Sequence, residues 1–264
     1  MAREKPKLRK REIGLALAAG LLAAGGAVAV IDESSGDNER PAPYAEADAL
    51  TQVDYALTDF DEISTVGPQD VFITQGDVFS VRGEGSSRAL GQLEAVVENG
   101  QLILRPQEGP FRGDWGSLED ASFHITLPQL HRVALAGTGD IAIDGVVGES
   151  FAGVIGGAGE MHVTGLAVDE VEFGIFGAGD LSVAGTAGDT SITIGGAGAV
   201  DGEDLFSQTA SVSIGGAGEV ELAVEQEARI SITGSGDVDI TGPAVCSVTR
   251  MGSGDVHCDG PGGD

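Results

Sequence analysis

The amino-acid sequence predicts an all-β fold, a single-chain parallel β-helix (solenoid) of about 18–20-residue rungs with an irregular β cap at its N-terminal end. The first observation is a Gly-small-Gly motif, followed by an acid in all copies but one. Its seven copies begin at Gly137, Gly157, Gly177, Gly196, Gly216, Gly234 and Gly252. Such a constant period is typical of solenoids, in which each repeat buries its apolar face by stacking on the next.

The second observation is that apolar residues alternate around every copy of the motif. Val133, Leu135, Ile141 and Ile143 all lie an even number of residues from Gly137. Apolar residues with a period of two predict strands with one buried face. A flexible glycine-rich linker would lack this alternation. We expect the glycines to turn a corner between strands on the inward side, where there is no room for a Cβ.

The chain begins with a basic segment followed by an apolar segment. Residues 1–12 hold six of the 14 Lys and Arg, and residues 13–31 carry no charge. This order predicts a signal peptide or an N-terminal membrane anchor over residues 1–31. Ala27-Val28-Ala29 is a candidate cleavage site, but 19 residues also suffice to cross a membrane. Both alternatives predict export to the periplasm or cell surface, with residues 13–31 as an inner-membrane anchor if the leader is retained.

The remaining chain divides into four segments by composition. Residues 32–54 are polar and acidic and predict a disordered tether. Residues 55–130 form a non-repeating β section, with a hairpin signal at Asn99-Gly100, which we expect to cap the solenoid. Residues 131–260 predict the regular β-helix, and residues 261–264 a disordered tail.

Both cysteines of the chain, Cys246 and Cys258, lie in the last repeat on the inward parity. In an exported protein, a disulfide between them is the expected state. It would contribute roughly 2–3 kcal/mol by closing a short loop in the unfolded chain. Two free buried thiols are the alternative.

The net charge limits the partners of this protein. The chain carries a formal charge of -28, and beyond residue 12 it retains 8 basic and 40 acidic residues. Such a surface repels phosphate backbones, which excludes nucleic acid as an expected partner. It favours divalent cations or basic surfaces, and we expect membrane contact only through the N-terminal segment.

One acid follows most glycine corners, and these acids are the candidate metal ligands. They are Asp140, Glu160, Asp180, Glu219, Asp237 and Asp255. Carboxylates stacked at the spacing of the rungs repel each other, and Ca²⁺ would relieve that repulsion. Alternatively, the acids are solvated or accept hydrogen bonds from backbone amides at the corners. No other cofactor is expected.

The sequence assigns no catalytic residue. It contains no G-x-S-x-G motif, no Cys-His pair and no phosphate-binding loop, and few aromatic residues that could line a carbohydrate cleft. We therefore expect a protein that is not an enzyme.

Three ordered segments before the repeats resemble the putative auto-transporter adhesin, head GIN domain family. They are Phe60-Asp61-Glu62-Ile63, the segment Asp70 to Asp77 and the segment Phe123 to Leu130. The resemblance covers about residues 55–260 and implies a parallel β-helix similar in shape to pectin-lyase-like proteins, export and a role in adhesion. The family has no catalytic residues to carry over. This chain departs from the family's SGSGD pattern by Ala for Ser in four repeats and by Ala199 in place of the acid in one.

The expected function is that of an exported, non-catalytic binding or adhesion module whose ligand is a protein or a polysaccharide. One alternative is a self-associating envelope scaffold, a homo-oligomer packed through the smooth strip of Ala158, Ala178, Ala197, Ala217 and Ser235. A further alternative is a pectin-lyase-like carbohydrate-active enzyme.

Overall fold

The computed structural model describes residues 50–107 and 118–261, which belong to one compact unit spanning Ala42–Asp264. The expected leader, residues 32–49 of the expected tether and residues 262–264 of the expected tail lie outside the described residues. The described residues form sixteen strands and one helical turn. These are β1 (Leu50–Tyr55), β2 (Glu62–Gly67), β3 (Asp70–Gln75), β4 (Ser80–Ser86), α1 (Ser87–Leu90), β5 (Leu93–Glu98), β6 (Gln101–Pro106), β7 (Ser122–Leu127), β8 (Arg132–Gly137), β9 (Ile141–Ile155), β10 (Glu160–Ile175), β11 (Asp180–Ile194), β12 (Ala199–Gly216), β13 (Glu219–Gly234), β14 (Asp237–Thr241), β15 (Val245–Gly252) and β16 (Val256–Cys258).

Strands β9 to β16 stack in parallel as a β-helix of about six regular turns. Each turn has three faces. In β9 the first face is formed by residues 141–144, the second by residues 146–148 and the third by residues 150–155. Gly145, with φ 75°, bends the chain between the first two faces, a conformation that glycine adopts without strain. The predicted parallel β-helix is confirmed.

The first two coils lie in space in a different order from their order in the chain. β2 is the parallel neighbour of both β6 and β8, and β3 is the parallel neighbour of both β7 and β9. The coil of β2 and β3 is therefore inserted between the coil of β6 and β7 and the regular turns. Its inward residues, such as Ile63 and Val71, are fully buried and continue the core of the regular turns.

Antiparallel strands cover the outer end of the β6–β7 coil. β4 pairs with β7, β1 with β4, and β5 with β6. We expected residues 55–130 to form a non-repeating β section that caps the solenoid and whose strands begin the β-helix in a looser register. In the structure β2, β3, β6 and β7 are parallel strands of the rod, and β1, β4, β5 and α1 take the cap position. We also expected disorder up to residue 54. The strand β1 begins at Leu50 instead, because its backbone pairs with β4 from Leu50 opposite Ser86 to Tyr55 opposite Val81.

The hairpin between β5 and β6 follows from the Asn-Gly pair that joins them. Glu98 lies opposite Gln101, so Asn99 and Gly100 form a two-residue loop. Their φ angles are 53° and 82°, and two successive positive φ angles are the requirement of a type I′ turn.

The core is one continuous column of apolar side chains inside the coils. Strands β9 to β14 alternate buried and outward residues along most of their length. Three fully buried phenylalanines, Phe123, Phe151 and Phe173, are its largest members, and the last two rings meet edge to face at 6.1 Å. The outward residues are thereby free to form the surfaces described next.

Candidate functional site

The glycine motif forms the corner between the third face of one turn and the first face of the next. The amide of Ala158 donates to the carbonyl oxygen of Gly137 over 3.0 Å, and the same bond recurs in later turns. A Cβ on Gly157 would overlap that carbonyl oxygen and lie 3.0 Å from the amide nitrogen of Gly137. The first glycine of each copy is therefore required by the close approach of the preceding turn. We expected these glycines to face the core, and this part of the expectation was wrong for the first glycine.

The acid after each corner stands on an exposed edge, which we call the acid ladder. Its members are Asp140, Glu160, Asp180, Glu219, Asp237 and Asp255, all exposed. The amide of Glu160 donates to Oδ1 of Asp140 over 3.1 Å, and the amide of Ala199 donates to Oδ1 of Asp180 over 3.1 Å. The amide of Asp255 donates to Oδ1 of Asp237 over 2.8 Å. These aspartates bind adjacent turns together as hydrogen-bond acceptors, which is a structural role.

The ladder begins earlier than the sequence pattern indicated. Oδ1 of Asp70 accepts a hydrogen bond from the amide of Asp140 over 3.2 Å, although 70 residues separate the two. The segment Gly67 to Asp70 is thus a further copy of the corner, with Pro68 and Gln69 in place of the small residue and the second glycine. The pattern was missed because only its first and last residues remain.

The acid ladder forms no compact metal site in the part of the chain that the structure describes. No group of three or more His, Cys, Asp or Glu side chains there is arranged to hold a metal ion. Near the C-terminal end the ladder borders a cleft of about 160 Å³, also lined by Glu221, Asp239 and His257. Desolvation and the nearby carboxylates, first Glu203 and then Glu219, raise the pKa of Glu221. Calcium binding by the acid ladder stays a hypothesis, which the melting experiment in the Discussion tests.

Cys246 and Cys258 are joined by a disulfide across the last turn, with their Cα atoms 6.7 Å apart. Arg250, in the same turn, lies in register with the inward Ile232 of the preceding turn, but at this open end it is exposed and donates to the carbonyl oxygen of Gly254 over 2.8 Å. The disulfide links β15 to β16, the two strands that form the open end of the rod.

A groove of about 570 Å³ runs along the rod axis at the start of the third face. Its floor is a column of buried residues stacked in register, Phe151, Val171, Thr190 and Ala210. The outward residues on either side of the floor form the walls. One wall includes Glu170, Asp189 and Thr209, and the other includes Glu172, Ser191 and Ser211.

The basic groups at the two ends of the groove are paired with acids. At one end Nδ1 of His131 lies 3.1 Å from Oδ2 of Asp61. At the other end Nη2 of Arg229 lies 2.7 Å from Oε1 of Glu227. The carboxylates of the walls between these ends therefore dominate the charge of the groove.

The groove can bind a ligand through hydrogen bonds repeated along its length. Equivalent wall residues recur in each turn at the strand spacing of about 4.8 Å. The hydroxyl of Thr209 donates to the carboxylate of Asp189, so hydroxyl and carboxylate form one hydrogen-bonded unit. Sequence reasoning missed this site, because exposed Ser, Thr, Asp and Glu on a strand are equally typical of a solvated face.

The described residues also contain no helix long and apolar enough to cross a membrane. The expected anchor over residues 13–31 lies outside the described residues.

Solved structures with a similar fold include putative adhesins and a putative lipid binding protein. A putative adhesin from Bacteroides fragilis has a TM-score of 0.73 at 19% identity, covering 80% of this chain and 98% of that protein. A putative lipid binding protein from Parabacteroides distasonis has a TM-score of 0.64 at 20% identity, covering 79% and 96%. A putative adhesin from the same species has a TM-score of 0.58 at 17% identity, covering 80% and 98%. At these identities the similarity shows the fold alone. No curated protein matches the sequence.

The family comparison covers most of the rod. The model of the family described as putative auto-transporter adhesin, head GIN domain matches residues 59–244. That range runs from the inserted coil through the glycine repeats and ends just before the disulfide-bonded last turn. The chain therefore belongs to the putative auto-transporter adhesin, head GIN domain family.

Proposed function

We propose that this protein is an exported, non-catalytic binding module at the cell surface or in the periplasm, and that its groove binds an elongated polysaccharide. The observation that carries the proposal is the groove itself, whose walls repeat carboxylates and hydroxyls from turn to turn. Carboxylates and hydroxyls together accept and donate the hydrogen bonds that sugar hydroxyls offer. The adhesin-like family supports export and a role in adhesion.

The charge of the groove selects among polysaccharides. Glu170, Glu172 and Asp189 are exposed in the walls, and the chain as a whole is strongly acidic. An anionic polymer would be repelled, whereas a neutral or amino-sugar polymer would not. One structural neighbour is described as a putative lipid binding protein. The polar walls of this groove do not favour a lipid chain as ligand.

The non-catalytic part of the proposal rests on the environment of these acids. Glycoside cleavage by two carboxylates needs a proton donor, commonly a carboxylic acid whose pKa is raised by burial. The wall carboxylates are exposed to solvent and the groove is open. An assay for reducing ends or unsaturated products after incubation with the bound polymer tests this, and product formation would contradict it.

The binding test is affinity electrophoresis of the full chain in gels that contain a neutral glucan, chitosan or polygalacturonate. We expect retardation by the glucan or chitosan and none by polygalacturonate. The double variant Glu170→Gln/Asp189→Asn should bind at least about tenfold more weakly, because each change removes a hydrogen bond to a charged group. The control Glu203→Gln/Asp204→Asn makes the same chemical changes at exposed residues that do not line the groove, and should bind as the unmodified chain does. Equal losses in both double variants, or no retardation by any polymer, would contradict the proposal.

A further inference from the structure

The third face carries a surface without charge between the groove and the acid ladder. We call it the uncharged face. It consists of three columns of eight outward positions, one from each strand of the third face from β2 through the regular turns to β15, and none of these positions holds a charged residue. The coil of β6 and β7, whose Ile103 lies beside Ser64, is not part of the face. The columns begin at Ser64, Val66 and Pro68 and end at Thr249, Met251 and Ser253.

The charge around this face restricts what can cover it. The chain has 42 acidic and 14 basic residues. The acid ladder follows one border, and Glu172 stands on the other border. Two copies of so acidic a protein repel each other wherever their charged surfaces meet. The uncharged face is a surface over which two copies can approach without that repulsion.

An exposed aromatic ring lies near the centre of the face. Phe176 belongs to the fourth of the eight turns and is 54% exposed. Its ring lies across two neighbouring glycines, within 3.0 Å of where a Cβ on Gly174 would be and 3.2 Å of where a Cβ on Gly195 would be. A side chain at either position would displace the ring. A central aromatic residue on a surface of small residues is the usual composition of an interface anchor.

The length of the uncharged face and its number of residues are sufficient for binding a second copy of the chain. Eight turns at about 4.8 Å give a length of roughly 34 Å. Three columns of eight positions fall within the roughly 20–30 residues that each partner contributes to a standard interface. A symmetric dimer would place the same residues on both sides, as a twofold interface requires.

The charges along the two borders of the uncharged face favour one of the two symmetric arrangements that a dimer could adopt. The column of outward positions just outside the face, on the side opposite the acid ladder, holds two bases, Arg132 and Arg229, and two acids, Glu62 and Glu172, so its formal charges balance. A twofold axis parallel to the rod places this column opposite the acid ladder of the second copy. An axis across the rod sets ladder against ladder, which like-charge repulsion disfavours.

We propose that the uncharged face binds the same face of a second copy, with the two rods side by side and pointing in the same direction. The dimer buries Phe176 of each copy near its centre. It does not depend on the ligand of the groove, which opens at the border of the face.

The test is sedimentation velocity of the full chain in non-ionic detergent, over about 1–200 µM protein. Substitution Phe176→Glu is compared with Phe206→Glu, the same change at a phenylalanine 57% exposed on the second face. We expect the unmodified chain to dimerise, more strongly as NaCl rises from 20 to 300 mM, because salt screens the repulsion between acidic rods. Phe176→Glu should weaken dimerisation at least tenfold, and Phe206→Glu should not change it. Circular dichroism checks that both variants are folded.

Three outcomes would overturn the proposal. They are a monomeric unmodified chain at 200 µM in 300 mM NaCl, equal dimerisation of the unmodified chain and Phe176→Glu, and equal loss in both variants. Association through the apolar leader would persist in Phe176→Glu, so it would appear as the second of these outcomes. The milder variant Phe176→Ser keeps the test available if the glutamate disturbs the fold.

Discussion

At the residue scale, the closest contact between turns is made by the first glycine of each corner. The carbonyl oxygen of Gly137 lies where a Cβ on Gly157 would be, and the same relation recurs at every later copy. The carbonyl accepts the amide of Ala158, so it cannot move away without breaking that bond. The invariance of this glycine along the chain is explained by backbone packing, whereas the residue after it only has to be small.

Two adjacent glycines allow this explanation to be tested. Gly157→Ala should lower the free energy of unfolding by about 2 kcal/mol or more, because the new methyl group overlaps backbone of the preceding turn. Gly156→Ala should change it by less than about 1 kcal/mol, since the nearest atom to its Cβ is the carbonyl oxygen of Leu135 at 3.7 Å. Urea unfolding at low protein concentration measures both. Similar losses in the two variants would show that the overlap is relieved by a small backbone shift.

At the scale of elements, the regular strands could be predicted from the sequence and the order of the first coils could not. Alternation and the glycine period determine strands β9 to β16, because each turn stacks on the next along the chain. The pairing of β2 with both β6 and β8 joins segments far apart in sequence. No local sequence pattern specifies that β2 lies between the other two strands. The groove was missed for a related reason, since Glu170 and Asp189 become neighbours only through the register of β10 and β11.

The disulfide belongs to the last element of the rod, and its effect should be local. Replacing Cys246 and Cys258 by Ala should destabilise the last turn by up to about 3 kcal/mol, the loop-entropy estimate for a link between residues 12 apart. In a solenoid, stability is distributed turn by turn, so the central turns should not respond. Hydrogen exchange should show faster exchange in β15 and β16 and unchanged protection in β10 and β11. Faster exchange throughout would contradict a local role.

At the scale of the whole molecule, the acids are numerous but spread along the rod, one to a turn in the ladder. Their aspartates already accept backbone hydrogen bonds from the next turn. The described residues hold no group of three or more potential ligands arranged around a metal ion. Most of the negative charge therefore remains in contact with water and salt.

This distribution predicts a weak response to calcium. We expect the melting temperature in 2 mM CaCl₂ to agree within about 1 °C with that in 2 mM EDTA, when NaCl equalises the ionic strength. The NaCl control is needed because screening alone stabilises an acidic rod. A rise of several degrees with Ca²⁺ at constant ionic strength would establish a specific site, and the cleft lined by Glu221 and Asp239 would be the first place to look for it.

The exchanged order of the first two coils determines when the rod can begin to form. During synthesis β2 and β3 emerge first, but their neighbours on one side end at Leu127 and those on the other side reach residue 144. A nascent chain that has not reached β7 leaves β3 without a parallel neighbour, and one that has not reached residue 144 leaves one edge of the first coil incompletely paired. Turn-by-turn growth can proceed only afterwards, toward the C-terminus. The first coil therefore stays unfolded until its neighbouring strands have been synthesised. An extended, unfolded chain is also the state in which a protein passes through a translocation channel.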